Sequence, residues 1–184
     1  MFAKLHIDWK VDNYDYGDKI VHYGAHFKDG KIVPKIIYHV ATGQCEDLLK
    51  RLIPERYQKD FKVAVMDISA SVGPHTDSEI LVTINHYFQT NDECTMFYVP
   101  KKDTNIVTSQ VQNQTNGVVY RVHQLELYGS FSAKENETWI LDVSKPHSVE
   151  SVRPATKLRK AIVLQTEIHT YEQVIEMLKE TKSI

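Results

Sequence analysis

The chain has 184 residues, 42% of them hydrophobic, and a formal net charge of −2, which predicts one domain with a single core of ordinary size. The near-neutral charge argues against a general nucleic-acid-binding surface, which is usually basic, but leaves room for a nucleobase substrate in a local groove. Two cysteines, Cys45 and Cys94, form neither a disulfide framework nor a Cys-x-x-Cys metal pair, and we expect both to be buried free thiols. The N-terminus does not resemble a signal peptide, and no long apolar run occurs, so we expect a soluble cytoplasmic protein with no membrane association.

The first 60 residues predict a β-hairpin followed by a helix. Asp29-Gly30 readily adopts the positive φ angles of a tight turn. It joins the runs 21–27 and 32–40, which are rich in β-branched and aromatic residues typical of strands. Residues 44–53 carry apolar side chains at helical spacing, and Pro54 ends the helix or starts a further helical turn over 54–60.

From residue 61 to residue 168 the pattern is that of short strands separated by turns. Strands are predicted at 62–69, 79–88, 93–99, 118–128, 138–143 and 158–168. The polar stretch 100–117 is predicted to be a long loop, and loops of this length often bind ligands. A capping-box sequence at Thr170 to Gln173 then starts a C-terminal amphipathic helix.

This order of elements predicts a mainly β (α+β) fold of the double-stranded β-helix type, a cupin-like jelly roll. The core occupies residues 61–168. The N-terminal hairpin and support helix (1–60) and the C-terminal helix (170–184) complete a single domain over residues 1–184.

His75 and Asp77 are the central candidates for a metal site. In an extended chain, residues i and i+2 face the same side, so both side chains can bind one ion. His147, beside another predicted strand, is the candidate third ligand. Two histidines and one carboxylate form the facial triad of non-haem iron(II) oxygenases, which leaves the opposite face of the ion open. A second His-x-acid pair, His6 and Asp8, is interpreted as a surface feature of an N-terminal strand, because no third ligand with sheet-like flanking residues accompanies it.

Four segments occur in a fixed order around this site. They are His75-Thr76-Asp77, the strand pair 81–88 and 92–98, the run 139–142 leading into His147, and Arg159 at the start of an apolar strand. In this order and strand context they resemble the 2-oxoglutarate/iron(II)-dependent oxygenase family, and most of all its prolyl-hydroxylase-like branch. The likeness extends over roughly residues 61–168.

The resemblance implies that Fe(II), 2-oxoglutarate and O2 take part in the reaction, with His75, Asp77 and His147 as catalytic metal ligands. One end of 2-oxoglutarate chelates iron, and a guanidinium holds its far carboxylate with bidentate geometry. The resemblance gives that role to Arg159. Arg153, in a turn, competes for it, and Lys160 is a third candidate that points to the opposite face.

Three further polar residues share one face of the predicted strand 79–88, namely Thr83, Asn85 and Tyr87. We consider them candidates to assist in binding the co-substrate carboxylate, although cross-strand polar pairing explains them equally well. His86 has the opposite parity, so only one of these two sets faces the interior.

The implied activity is hydroxylation of a peptide, amino-acid or small-molecule substrate, with release of succinate and CO2. A nucleobase substrate is compatible with the sequence. The hairpin 21–40 and the loop 101–117 are the predicted substrate contacts. Two alternatives stay open: a metal-dependent cupin enzyme that does not use 2-oxoglutarate, and a non-catalytic jelly-roll binding protein.

Overall fold

A computed structural model describes residues 1–10, 16–77, 79–102, 108–110, 118–150 and 158–184. The strands within these ranges are β1 (Phe2–Leu5), β2 (Tyr16–Lys28), β3 (Lys31–Ala41), β4 (Lys62–Ile68), β5 (Val72–Thr76), β6 (Val82–Gln89), β7 (Cys94–Pro100), β8 (Thr108–Gln110), β9 (Val118–Tyr120), β10 (Leu125–Phe131), β11 (Glu137–Asp142), β12 (His147–Glu150) and β13 (Arg159–Thr166). The helices are α1 (Gln44–Leu52) and α2 (Tyr171–Glu180), with 3-10 turns at Glu55–Asp60 and Val122–Gln124.

The strands form two antiparallel sheets. The large sheet has the order β1-β11-β6-β13-β4-β3-β2, and the small sheet has the order β10-β7-β12-β5-β9-β8. Along the chain, β4 lies in the large sheet, β5 in the small, β6 in the large and β7 in the small; β11, β12 and β13 alternate in the same way. Such alternation winds the chain into a jelly roll, and the predicted mainly β, cupin-like fold class is confirmed.

The central strands of the large sheet are covered on both faces. The outer face of this sheet packs on the helices, and its inner face packs on the small sheet. The outer core includes Leu48, Leu52, Val65, Ile84, Ile140, Leu164, Val174 and Leu178, and the inner core includes Met66, Tyr87, Phe97, Leu141, Val149 and Val163. Because both faces of β6 are covered, its residues from Val82 to Phe88 are all buried, which explains a strand without the usual alternation of polar and apolar residues.

Both predicted helices are present. α1 directs Leu48 and Leu52 into the outer core, and the predicted further turn is the 3-10 segment Glu55–Asp60. At the start of α2, the Thr170 amide donates to the Gln173 side chain (2.9 Å), and the Gln173 amide donates to the Thr170 hydroxyl (3.4 Å), which is the predicted capping box. Neither of the described helices is long and apolar enough to cross a bilayer.

The segment 118–128 differs from its prediction as one strand. β9 pairs with β5, with Val119 opposite His75, whereas β10 pairs with β7, with Leu125 opposite Pro100. A single straight strand cannot pair with two neighbours that lie apart in the sheet, so a 3-10 turn separates the two. β10 continues to Phe131, beyond residue 128, where the predicted strand ends.

Three smaller predictions also need correction. The predicted N-terminal strand is β1, which pairs with β11 at the edge of the large sheet, but it ends at Leu5, before His6 and Asp8. The predicted loop 100–117 contains β8, and its remaining residues 103–107 and 111–117 lie outside the described ranges. Cys45 is buried, but Cys94 is partly exposed, because the buried neighbours Thr95 and Phe97 alternate with it along β7 and face inward.

Candidate metal centre

The three predicted ligands meet between two neighbouring strands of the small sheet. His75 on β5 pairs directly with His147, the first residue of β12. Asp77 follows the end of β5, where its amide donates to the carbonyl of Val143 (3.1 Å). One potential ligand atom from each of the three side chains lies within 4.8 Å of the others. This spacing is suitable for three side chains that face a single ion.

Strand parity predicted that Asp77 faces the same side as His75, and the two side chains do lie together, but parity is not the whole cause. β5 ends at Thr76, so strand parity alone does not orient the carboxylate. The hydrogen bond to Val143 fixes the backbone there and turns Asp77 back towards His75. The His75 Nε2 atom lies 3.4 Å from a carboxylate oxygen of Asp77.

Backbone carbonyls orient both imidazole rings. His75 Nδ1 lies 2.8 Å from the Gly73 carbonyl oxygen, and His147 Nδ1 lies 3.0 Å from the Lys145 carbonyl oxygen. A carbonyl only accepts hydrogen bonds, so each Nδ1 carries the proton and each Nε2 keeps its lone pair for a metal. Such outer hydrogen bonds are typical of histidines that bind metals.

The electrostatics of the three groups favour metal binding near neutral pH. Burial and the neighbouring His75 charge lower the pKa of His147 to about 4. Burial opposes the charged form of His75, but the hydrogen bond and charge of Asp77 outweigh it, and the pKa of His75 is raised. Burial likewise opposes ionisation of Asp77, yet the two histidines lower the pKa of this carboxyl. The result is an ionised carboxylate beside a neutral His147.

The centre has one closed side and one open side. Phe97, fully buried, stacks on the His147 ring with centroids 5.6 Å apart. The side chains of His75 and Asp77 are 20% and 25% exposed. A ligand can therefore approach from the side of His75 and Asp77, while an apolar residue excludes water behind His147.

Arg159 lies inside the same jelly roll and is only 2% exposed. Its Nη2 donates to the Thr95 hydroxyl (2.9 Å), and its guanidinium lies over the Tyr87 ring, 4.4 Å from the centroid. These partners are neutral. Its Nη1 has no hydrogen-bond partner among the described residues. A buried guanidinium in this state is costly, and an anionic ligand would stabilise it.

The polar residues predicted on β6 do face this interior. Tyr87 and Asn85 lie opposite Ala161 and Val163 of β13, and the Asn85 amide donates to the Tyr87 hydroxyl (3.2 Å). Thr83 faces the same side but lies opposite Gln165, further along β13 from Arg159. The Asn85 carbonyl oxygen and the Thr83 hydroxyl lack partners among the described residues.

The other candidates lie elsewhere. Lys160 points to the outer face, where its Nζ donates to the Tyr16 hydroxyl (2.7 Å) and lies 3.8 Å from an oxygen of Asp67, so it is removed from the interior. Arg153 falls outside the described residues. His86 also faces outward, with Nδ1 2.9 Å from the Thr138 hydroxyl, and its ring packs edge-on against Trp9.

Thr95 and Tyr87, the two residues that contact the Arg159 guanidinium, form with it the Arg159 cradle. Thr95 is the residue of this cradle that the sequence prediction missed. The available signal was the alternation of Thr95 and Phe97 on one face of the predicted strand 93–99. Nothing in the sequence pairs Thr95 with Arg159, however, because they belong to different sheets and meet only across the interior.

Neither the protein-family models nor the curated proteins include a match to this chain. Among solved structures, vicilin from hazelnut (Corylus avellana) is similar with a TM-score of 0.43 and 10% identity, covering 89% of this chain and 38% of that one. YcfD from E. coli is similar with a TM-score of 0.45 and 12% identity, covering 83% of this chain and 43% of that one. The chain thus spans less than half of either structure.

The chain's own sheets and side chains define its class. It is a cupin-like jelly roll with a candidate His/Asp/His metal centre in its interior.

Proposed function

We propose that the protein is a mononuclear, metal-dependent jelly-roll enzyme in which His75, Asp77 and His147 hold iron(II). The donor set supports this proposal, because two imidazoles and one carboxylate suit non-haem iron(II) and leave coordination positions open. The orientation of both rings by backbone carbonyls supports it as well.

Within this class we propose that 2-oxoglutarate is the co-substrate. The observation that carries this step is Arg159, whose buried Nη1 lacks a partner among the described residues and whose known partners are neutral. A dicarboxylate can chelate the metal at one end and accept hydrogen bonds from Arg159 at the other. Thr95 and Tyr87 would hold the guanidinium in place for that contact.

The protein's own groups would then perform three tasks. The triad holds the metal on one side and leaves the other side for ligands. Arg159 sets the position of the co-substrate, and buried Phe97 keeps water away from His147. When bound, iron(II) and 2-oxoglutarate supply the oxidation: O2 and 2-oxoglutarate yield succinate and CO2 while one oxygen atom enters a C–H bond of the substrate.

A metal-dependent cupin enzyme that does not use 2-oxoglutarate is the second candidate. Two observations favour it: the triad is assembled without any contribution from Arg159, and that guanidinium already contacts Thr95 and Tyr87. In this case Arg159 is a structural residue. A non-catalytic jelly-roll binding protein is the third candidate, and it would bind no stoichiometric divalent metal.

The substrate we propose is a peptide, an amino acid or another small molecule. The open side of the centre beside His75 and Asp77 is the place for it. A nucleobase is compatible with the same opening.

The test is turnover of 2-oxoglutarate labelled in the carboxylate next to its keto group. Iron(II)-loaded protein should release labelled CO2 slowly even without its substrate, and His147→Ala should abolish the release. Lys160→Met is the matched control for Arg159→Met, because the two residues are adjacent but face opposite sides of β13. If both variants release CO2 as the parent does, 2-oxoglutarate does not use Arg159. If the parent protein itself shows no release, the cupin enzyme without 2-oxoglutarate is favoured.

A further inference from the structure

The hairpin of β2 and β3 extends the large sheet past β4 on the side of the metal centre. Residues that pair directly across antiparallel strands share one face of the sheet. Tyr38 of β3 pairs with Met66, which belongs to the inner core, and Ile36 pairs with Ile68 of the same core. The inner face of the large sheet therefore continues onto β3.

The pairing of β2 with β3 extends this inner face onto β2. Tyr23 pairs with Ile36, and Val21 pairs with Tyr38, so both β2 residues also lie on the inner face. The Tyr23 and Tyr38 rings meet edge to face, with centroids 5.9 Å apart. Both residues are partly exposed; Tyr38 packs against the inner core, and Tyr23 lies one strand further out, on β2. The two rings thus form a step from the interior towards solvent.

The order of the strands brings these rings to the side of the metal centre. At one edge of the jelly roll, Phe2 of β1 packs on Phe97 and Phe131 of the small sheet, so β3 and β2, at the opposite edge of the large sheet, lie on the side of β5, which carries His75.

Burial first, and then the negative charge of Asp77, raise the pKa of both Tyr23 and Tyr38. This effect of one carboxylate on both phenols agrees with that placement. Tyr38 packs against the same inner core as Tyr87, the residue under Arg159, and Phe97, the residue that stacks on His147.

The face around these rings carries no charge. From residue 21 to residue 25 on β2 and from residue 34 to residue 38 on β3, the inward positions are Val21, Tyr23, Ala25, Pro34, Ile36 and Tyr38. The charged Lys35 lies on the opposite face by parity. A charged group brought here would lose water without gaining a charged partner from these strands.

We propose that Tyr23 and Tyr38 form one wall of the substrate site, and that the substrate group received there is neutral and apolar. The inference rests on the proposed metal centre and adds to it the residues that select the substrate. Aromatic rings bury apolar groups over a large area and leave their hydroxyls available to orient a polar atom. A substrate held by this wall presents its C–H bond beside the open side of the metal.

Relaxation of ligand protons by bound Mn(II) tests the inference without knowledge of the substrate. Mn(II) binds the same kind of donor set as iron(II), and its unpaired electrons relax protons of weak ligands that come near it. The probes are N-acetyl methylamides of leucine, proline, aspartate and lysine. The His75→Ala protein with equal Mn(II) gives the background.

Side-chain protons of the leucine and proline probes should be relaxed more strongly than those of the aspartate and lysine probes. Tyr23→Ala should reduce the relaxation of the leucine and proline probes about fivefold to tenfold, because one aromatic contact is lost. Tyr38→Phe should retain this relaxation, since the aromatic ring remains, whereas Tyr38→Leu should lose it. His22→Ala is the matched control, because His22 neighbours Tyr23 but is exposed on the other face.

Two failures are distinguishable. If the parent protein does not bind Mn(II) above the His75→Ala background, both the metal centre and this inference fall. If it binds Mn(II) but relaxes charged and apolar probes alike, relaxes none of them, or behaves the same with Tyr23→Ala and Tyr38→Leu, only the substrate wall is overturned.

Discussion

His75 and His147 lie directly opposite each other across the β5–β12 ladder, with ring centroids 4.3 Å apart. Two sequence-distant histidines are thus fixed by backbone pairing rather than by a flexible loop. Sites built on paired strands hold their ligands more rigidly than sites built on loops. The other members of the centre, Asp77 and the cradle of Arg159, are arranged around this pair.

Replacing His147 by alanine should remove metal binding. Two remaining ligands leave a divalent ion with poor coordination, so we expect affinity to fall by a factor on the order of 100 or more. Metal content after dialysis and calorimetric titration measure this loss. His22→Ala, an exposed histidine outside the site, should bind metal as the parent does. Unchanged metal affinity in His147→Ala would contradict the assignment of His147 as a metal ligand.

Metal affinity should weaken as pH falls, and His75 should cause the change. The raised pKa of His75 means that this ring is protonated first on acidification and must lose its proton to bind metal. His147, with a pKa of about 4, is already neutral, and the lowered pKa of Asp77 keeps it ionised. Below the pKa of His75, each pH unit should therefore cost about tenfold in affinity.

Calorimetry in buffers of different ionisation enthalpy checks this account. About one proton should be released per metal bound below the pKa of His75, and almost none above it. Release of two protons near pH 6 would show that His147 is also charged in the free protein, contrary to the effect of its burial.

Replacing Arg159 by lysine should weaken 2-oxoglutarate binding while metal binding persists. Lysine keeps the charge but loses the planar fork that binds a carboxylate with two hydrogen bonds. We expect about 2 kcal/mol or more of lost binding free energy, which is a factor of about 30. Calorimetric titration of 2-oxoglutarate into metal-loaded protein measures it, with Lys160→Met as the control. Equal affinity in Arg159→Lys and the parent would move the anchor away from Arg159.

His86 should make the fold sensitive to acid. Burial lowers its pKa from an ordinary 6.5 to about 4, so on acidification the unfolded chain gains this proton before the folded protein does. The contribution of neutral His86 to the free energy of unfolding is fully present above about pH 6.5 and is lost as pH falls towards 4. Between pH 7 and pH 5 the free energy of unfolding should drop by about 2 kcal/mol from this residue.

Urea unfolding of the parent and of His86→Leu at both pH values measures the contribution. The variant should show a smaller difference between the two pH values, whatever its absolute stability. If the two proteins lose the same free energy on acidification, His86 does not carry the effect.

The sequence predicted most of the elements and the grouping of His75, Asp77 and His147, because both leave local patterns. The alternation of β-branched residues marked most strands, the Asp29-Gly30 turn marked the hairpin, and the Thr170 capping box marked α2. His75, Asp77 and His147 were recognisable from residue type, strand context and order along the chain. These signals come from residues that are neighbours in the sequence, so they can be recognised without knowledge of the tertiary structure.

Contacts between sheets left no such signal. The hydrogen bond between Thr95 and Arg159 and the packing of Tyr38 against the inner core depend on how the two sheets face each other. The break between β9 and β10 was missed for a similar reason: residues 118–128 look like one continuous strand, and only the change of pairing partner from β5 to β7 divides them.

The most direct test of the account is an anaerobic titration of iron(II)-loaded protein with 2-oxoglutarate, followed by visible absorption. We expect a weak, saturable charge-transfer band of the iron–2-oxoglutarate chelate, absent in His147→Ala and shifted to much higher 2-oxoglutarate concentration in Arg159→Lys. Bound iron without any band would contradict the use of 2-oxoglutarate and favour the cupin enzyme that does not need it. Failure to bind iron at all would contradict the metal centre itself.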